Sequence, residues 1–186
     1  MADFAIHSID TAPEGSKPLL EKAAANYGFT PNLLATMAES PAALETYMTL
    51  SQTMSTKTAF SPTELQVVLL GASFENSCTY CIAAHSTISQ GSGVPGDVID
   101  SLRSGGAIAD PKLNALVNFT RAVVQQRGVL DDATTQAFLD AGYSNQHILE
   151  VILGIAMKTL SNFTNHAAHT PVDEAFEANA WNAPQA

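Results

Sequence analysis

The only two cysteines of this 186-residue chain lie three residues apart, and a histidine follows four residues later. Cys78, Cys81 and His85 form the pattern Cys-x-x-Cys-x-x-x-His. Helical geometry places these side chains on one stripe, and the i, i+4 spacing of Cys81 and His85 is one at which side chains meet. A thiol attacks only as a thiolate, and an adjacent imidazole can accept its proton or stabilise the anion. The spacing therefore predicts redox-active thiols that can close a disulfide between themselves.

Two other interpretations of these residues stay open. In one, the cysteines are buried bystanders and His85 is a hydrogen-bonded core residue. In the other, Cys78, Cys81 and His85 bind zinc together with His166 or His169, although three donors on adjacent turns of one helix make a tetrahedral site awkward. A thioredoxin fold is disfavoured, because the strand–helix–strand context of its Cys-x-x-Cys is missing. Thiol redox chemistry is the favoured interpretation.

The composition limits the possible partners. The formal net charge is −10 and no cluster of Lys or Arg occurs, which argues against nucleic-acid binding. Only 14% of residues are charged and 46% are hydrophobic, which favours a homo-oligomer that buries further apolar surface between subunits. No apolar run reaches membrane-spanning length, and no secretory signal is visible at the N-terminus. We therefore expect a cytoplasmic protein without a membrane or nucleic-acid partner.

Helix start and stop signals follow one another along the chain, and no alternating strand pattern or hairpin is found. Ser61 and Glu64 form a capping box that opens a helix, and the chain is expected to stay helix-like to about Gln90, with Cys78 near the start of a helix and His85 on the same face. The other expected helices are 18–27, 31–39, 41 to about 55, 94–104, 111 to about 128, 132 to about 142, and a long one after Ser144. These signals predict one all-α domain over residues 1–186, a helical bundle with residues 1–17 as an N-terminal arm.

A weak internal repeat accompanies the helices. Two runs recur with offsets of 83 and 84 residues: Val-Leu-Leu-Gly at 68–71 as Val-Ile-Leu-Gly at 151–154, and Ala-Ala-His at 83–85 again at 167–169. The positions that correspond to the two cysteines are Asn162 and Asn165. This pattern is typical of a decayed helical repeat in which one copy kept the reactive groups.

From about Gly28 to Glu177 the chain resembles the alkylhydroperoxidase D-like, carboxymuconolactone decarboxylase family. The resemblance is strongest over Glu64–Ser86, which contains the family's redox signature Cys-x-x-Cys-x-x-x-His. The Tyr80-Cys81 pair and the Ala-Ala-His that follows resemble the peroxidase-related branch. Because the family's decarboxylases lack the cysteine pair, the resemblance implies a peroxidase or disulfide reductase.

The resemblance also implies roles for single residues. Cys81 corresponds to the cysteine that attacks peroxide, Cys78 to the resolving cysteine, and His85 to the proton acceptor. Family members are all-helical homo-oligomers, often trimers or hexamers, and need no metal or organic cofactor. A thiol protein or dithiol reduces them again. The implied function is a cofactor-free, thiol-dependent peroxidase that cycles between dithiol and disulfide, with a redox sensor or a zinc protein as the alternative.

Two positions depart from the family pattern. The family's relay glutamate corresponds to Gln66, which cannot accept a proton as a carboxylate does, and a histidine of the best-known members corresponds to Tyr80. Glu75 precedes Cys78 by one turn of the expected helix and is the candidate substitute for the relay carboxylate. Glu64 is a weaker candidate, because the capping box already explains it.

Overall fold

The computed structural model describes residues 3–183. Within this range the chain forms nine α-helices, one 3₁₀ helix and no strand, so the all-α fold class is confirmed. The helices are Lys17–Tyr27 (α1), Asn32–Met37 (α2), Pro41–Lys57 (α3), Pro62–Glu75 (α4), Thr79–Gly91 (α5), Gly96–Ser104 (α6), Pro111–Gln125 (α7), Asp132–Asp140 (α8), Asn145–Ala168 (α9) and the 3₁₀ helix Glu174–Asn179. No helix of the described residues is both long enough and apolar enough to cross a membrane.

The capping residues explain where several helices begin. At the start of α4, the Ser61 hydroxyl accepts from the Glu64 N–H, and the Glu64 carboxylate accepts from the Ser61 N–H, which completes the expected capping box. Asp110 and Asp131 are the N-caps of α7 and α8, and their side chains accept hydrogen bonds from backbone N–H groups in the first turn of each helix. Ser144 precedes α9, as the sequence predicted.

The run expected to stay helix-like to about Gln90 is interrupted once and forms two helices, and the expected position of Cys78 near the start of a helix is confirmed. α4 ends at Glu75, and Ser77 adopts a left-handed conformation with φ of 53°. The N–H groups of Ser77 and Cys78 bond the carbonyls of Phe74 and Ser73, which closes the end of α4. Cys78 is therefore the N-cap of a new helix, α5, and both cysteines lie at its beginning.

α4 is the central helix of the bundle, and it packs against α5, α7 and α9. Its buried residues join the main hydrophobic cluster, whose members include Val67, Val68, Leu70, Leu116, Val117, Phe119 and Val151. A second cluster lies between α2, α3, α5 and the 3₁₀ helix, and it contains both cysteines together with Leu33, Leu34, Leu44, Tyr80 and Phe176. The reactive groups are thus part of a hydrophobic core.

Gly154 allows α9 to lie close to α4. A Cβ at this position would be 2.8 Å from Val68 Cγ1 and 3.1 Å from Met54 Cε. Both distances are shorter than ordinary van der Waals contact, so the glycine sets how closely the two helices approach.

Gly105, which ends α6, should not tolerate alanine. Its φ is 75°, and a Cβ would overlap the Phe74 ring. We expect Gly105→Ala to lower the free energy of unfolding by about 2–4 kcal/mol, because backbone strain and overpacking add. Gly128→Ala is the matched control, since φ is 80° there and nothing lies within 4 Å of the added Cβ. Urea unfolding measures both variants, and an equal loss in the two would contradict the overlap with Phe74.

Glu64 should make stability depend on acid pH. Its Oε1 lies 3.0 Å from Lys112 Nζ and accepts a hydrogen bond from the Tyr143 hydroxyl at 3.1 Å. Burial raises the pKa of this carboxyl, but hydrogen bonds from Ser61, Lys112 and Tyr143 outweigh it and lower the pKa from 4.5 to about 2. A lowered carboxyl pKa stabilises the fold above the unfolded-state value, and this contribution is lost as the pH falls towards 2.

Glu64→Gln keeps an acceptor for the capping box and removes the titration, together with the negative charge that pairs with Lys112. Between about pH 4.5 and 2, the free energy of unfolding should therefore fall less steeply in the variant than in the natural chain. Urea unfolding at a series of pH values measures the two slopes. Parallel curves would show that Glu64 does not carry this pH dependence.

Candidate active site

The first two turns of α5 carry the predicted reactive residues. Cys78 and Cys81 are free thiols, each 1% exposed, and His85 is 9% exposed. Cys81 and His85 line the same pocket, which has a volume of about 300 Å³, whereas Cys78 is not among the residues that line it. Of the two sulfurs, that of Cys81 is therefore the one that a molecule in the pocket can meet.

The pocket is apolar except at its reactive end. Its walls come mainly from α2, α3, α4 and α9, and include Leu33, Leu34, Met54, Leu65, Leu69 and Met157. Its polar groups include the side chains of Gln66, Cys81, His85 and Lys158, and the phenols of Tyr47 and Tyr80. Such a cavity fits a small, largely apolar molecule with its reactive group directed to Cys81.

α9 supplies the polar groups opposite the cysteines. The Asn165 side-chain amide donates to Cys81 Sγ at 3.3 Å and lies 3.7 Å from Cys78 Sγ. Ser161 Oγ lies 3.8 Å from Cys81 Sγ. Lys158, one turn before Ser161, is completely buried and lines the pocket. These three residues share one face of the helix at positions i, i+3 and i+7.

The two thiols differ in acidity. The hydrogen bond with Cys81 and burial raise the pKa of the Cys78 thiol above its usual value. Burial also raises the pKa of the Cys81 thiol, but the hydrogen bond from Cys78 and the positive charge of Lys158 lower it well below its usual value. Cys78 is therefore the protonated donor, and Cys81 is the sulfur that ionises.

His85 is held as a neutral imidazole. Burial and the nearby charge of Lys158 lower its pKa well below the usual value. Its Nδ1 lies 3.0 Å from Gln66 Oε1, an acceptor that assigns the ring proton to Nδ1. Nε2 then carries a lone pair and can accept a proton. Gln66, at the position of the family's relay glutamate, thus contacts His85.

The structure does not bring Glu75 to the cysteines. Glu75 is the last residue of α4, and its carboxylate faces α7, where Oε1 lies 3.5 Å from Arg121 Nε and Oε2 accepts from Gln125 Nε2 at 2.7 Å. The expected position one turn before Cys78 required a continuous helix, and the chain breaks immediately after Glu75.

The zinc interpretation finds no ligand set among residues 3–183. No group of three His, Cys, Asp or Glu side chains in this range is arranged to hold a metal ion. His166 and His169 are exposed near the end of α9, whereas both cysteines are buried.

Tyr80 connects α5 to two other parts of the chain. Its hydroxyl accepts from the Leu33 N–H at 3.2 Å and donates to Asp173 Oδ2 at 2.5 Å. The Asp173 carboxylate also accepts from the Asn32 N–H at 3.0 Å. Burial and the hydrogen bond to Asp173 raise the pKa of Tyr80, so the phenol stays protonated. Tyr80 therefore fixes the first turn of α5 to α2 and to the segment before the 3₁₀ helix.

Sequence reasoning missed Lys158 and assigned no role to Asn165. A signal existed for both. Lys158 is the only Lys or Arg of α9, a helix rich in Ile, Leu and Val. The internal repeat aligned Asn165 with Cys81, and in the structure the two side chains are hydrogen-bonded.

Comparison with solved structures finds the same architecture in proteins of low sequence identity. An uncharacterised peroxidase-related protein from Ralstonia eutropha JMP134, described as an alkylhydroperoxidase core, matches with a TM-score of 0.82 and 19% identity over 93% of both chains. A peroxidase-related protein from Silicibacter sp. TM1040 matches with a TM-score of 0.80 and 17% identity, over 96% of this chain and 94% of the other.

A third structure is a cysteine-to-alanine variant of the debrominase Bmp8 in complex with 2,3,4-tribromopyrrole. It matches with a TM-score of 0.79 and 18% identity, over 96% of this chain and 95% of the other. No protein-family model and no curated protein sequence matches the chain. At these identities the structural likeness establishes the fold alone.

Proposed function

Because the chain has the alkylhydroperoxidase-core fold, as its resemblance to that family predicted, we propose that it is a cofactor-free, thiol-dependent oxidoreductase that reduces a peroxide at Cys81. One observation carries the proposal. Cys81 lines the pocket together with His85, while Cys78, the N-cap of the same helix, does not line it. A nucleophile, a resolving thiol and a proton acceptor thus meet at one end of a cavity.

The first step oxidises Cys81. Its thiolate attacks the outer oxygen of a hydroperoxide while His85 Nε2 accepts the proton of that oxygen. The O–O bond breaks, the alkoxide that leaves takes this proton from His85, and the sulfenate on Cys81 takes a proton from solvent. The products are a sulfenic acid on Cys81 and an alcohol. The Asn165 amide, which donates to Cys81 Sγ at 3.3 Å, holds the sulfur in place for this attack. The Nε2 lone pair of His85 accepts a hydrogen bond from the peroxide O–H and orients it.

The second step closes the disulfide. The Cys78 sulfur attacks the Cys81 sulfur, the S–O bond breaks, and the hydroxyl leaves as water with the proton of the Cys78 thiol. An external dithiol then reduces the disulfide by exchange and is itself oxidised. We propose a thiol protein as this reductant and the cytoplasm, where thiols stay reduced, as the compartment.

Mass spectrometry after a stoichiometric pulse of hydroperoxide tests the proposal. We expect a disulfide between Cys78 and Cys81 in the peptide map and multiple turnovers when dithiothreitol is present. One oxidation event per chain, without turnover in dithiothreitol, would indicate a redox sensor instead. Reaction at neither cysteine would refute the proposed function.

A second candidate reaction is reductive dehalogenation of an aromatic ring. The observation that favours it is a largely apolar cavity with Cys81 and three tyrosines at its lining, in the fold of a protein named as a debrominase. In this reaction the Cys81 thiolate takes the halogen, the ring carbon takes a proton, and Cys78 then displaces halide to form the disulfide. Bromide release from a brominated pyrrole in the presence of dithiothreitol distinguishes this reaction from peroxide reduction.

We also propose that the chain forms a homo-oligomer, a trimer or hexamer as the resemblance implies. Leu149, Ile152 and Phe163 are exposed along one face of α9, by 68%, 45% and 57%. Light scattering at micromolar concentration should give a multiple of 19.6 kDa, and Ile152→Glu should reduce that mass. Val129→Glu, at an 80% exposed loop residue, is the control and should leave the mass unchanged. A mass of 19.6 kDa for the natural chain would contradict the proposal.

A further inference from the structure

Lys158 is a buried lysine whose Nζ has no hydrogen-bond partner among the described residues. Its side chain is 0% exposed, and its Nζ lies inside the protein at the pocket that Cys81 and His85 line. Burying a charged ammonium without a counter-charge costs several kcal/mol, so a buried lysine pairs with an anion or loses its proton. The groups around Lys158 therefore decide what it does.

The residues that line the pocket include no carboxylate. Besides Lys158, the ionisable groups of the lining are the Cys81 thiol, the His85 imidazole and the phenols of Tyr27, Tyr47 and Tyr80. Burial raises the pKa of all three phenols, so none is an anion near neutral pH. Cys78 is not part of the lining, and its thiol keeps its proton. The sulfur of Cys81 is the one remaining candidate for the negative charge.

His85 does not serve as the cation for this sulfur. The Gln66 side chain presents its oxygen to Nδ1 at 3.0 Å, and a glutamine oxygen supports a neutral imidazole without adding the negative charge that would favour an imidazolium. A second positive charge beside the Lys158 ammonium would also be repelled in a buried site. Of the two roles that the sequence allowed for the histidine, these contacts favour the proton acceptor over the imidazolium that stabilises the thiolate.

We propose that Lys158 is the charge partner of the Cys81 thiolate, and that His85 remains neutral and free to accept a proton. Lys158 is a positioning residue in this scheme, because it acts on the nucleophile. The charge pair is a property of the resting protein, and only its use in turnover rests on the proposed function. It also explains why α9, which carries no residue of the Cys-x-x-Cys-x-x-x-His motif, contributes a polar face to the site.

The pH dependence of Cys81 alkylation tests the pair directly. The background is Cys78→Ser, which keeps a hydroxyl donor to Cys81 and leaves a single thiol. Iodoacetamide labels that thiol only as a thiolate, so the midpoint of the rate-against-pH curve reports its pKa. In this background, Lys158→Met and Lys158→Gln should each raise the midpoint by about 1–3 pH units. Lys158→Arg, which keeps the positive charge, should return the midpoint most of the way to its original value. Added His85→Gln should leave the midpoint unchanged.

The outcomes separate the two parts of the proposal. If the Met and Gln variants both fold and both keep the original midpoint, the charge pair is refuted. Far-ultraviolet circular dichroism confirms folding, and having two replacements protects the test against a defect of either one. A midpoint shift in His85→Gln would overturn the neutral histidine. If the midpoint depends on Lys158 but the natural chain does not turn over peroxide, the proposed function is refuted and the charge pair stands.

Discussion

Replacing Cys81 with serine should abolish peroxide turnover, with a loss of at least about 10³-fold in kcat/KM. The serine hydroxyl fits the same space but is neither ionised near neutral pH nor oxidised by peroxide. Because Cys81 is the cysteine that lines the pocket, the Cys78 thiol cannot take its place. The measurement is steady-state consumption of an organic hydroperoxide with dithiothreitol as reductant.

Cys78→Ser is the matched variant, and it should behave differently. It should react with one equivalent of peroxide and then hold a sulfenic acid on Cys81, which dimedone traps and mass spectrometry locates. Turnover at the natural rate in Cys81→Ser would mean that the roles of the two cysteines are reversed. Equal behaviour of the two variants would show that neither acts as a dedicated nucleophile.

Replacing His85 with glutamine should lower kcat/KM by about 10²–10⁴-fold while the thiolate of Cys81 persists. His85 Nε2 is free to accept a proton because Nδ1 is committed to Gln66. Losing this acceptor removes the group that orients the peroxide O–H. Since Lys158 supplies the charge for the thiolate, raising the pH should not restore turnover. Rates measured from about pH 6 to 9 test this.

The exposed His166 provides the control for this prediction. His166 lies on α9 outside the pocket, so His166→Gln should keep the natural rate of peroxide turnover. Recovery of the His85→Gln variant at high pH would show that the imidazole serves only to deprotonate Cys81, which would contradict its role as proton acceptor during turnover.

The helical architecture was predictable because it depends on local chemistry. Side chains of Ser61, Asp110 and Asp131 cap helices through contacts only two or three residues away. The break after Glu75 was not predictable in the same way, because no glycine or proline marks it. Its only signal is the Asn76-Ser77 pair, and serine rarely adopts a positive φ. Because that break was not foreseen, Glu75 was expected one helical turn before Cys78, where the structure does not place it.

The candidate site was half predictable. The motif on α5 identified Cys78, Cys81 and His85, because their meeting depends on helical spacing alone. Lys158 had only a weak signal in the sequence, because a lysine on an amphipathic helix is normally solvated and only tertiary packing reveals its complete burial. The side of the site that sets its electrostatics therefore comes from residues about 80 positions away, such as Asn165.

The close approach of α9 to α4 at Gly154 bears on the distance between the lysine and the cysteine of the site. Lys158 lies on α9, Cys81 lies on α5, and α4 packs against both helices. Because Coulomb energy in a buried site depends on distance, we expect a larger residue at position 154 to weaken the stabilisation of the thiolate that we propose for Lys158. Evolution can therefore alter the reactivity of the cysteine from a position that carries no reactive group. Two chains with identical Cys-x-x-Cys-x-x-x-His motifs can then differ in rate through the spacing of two helices.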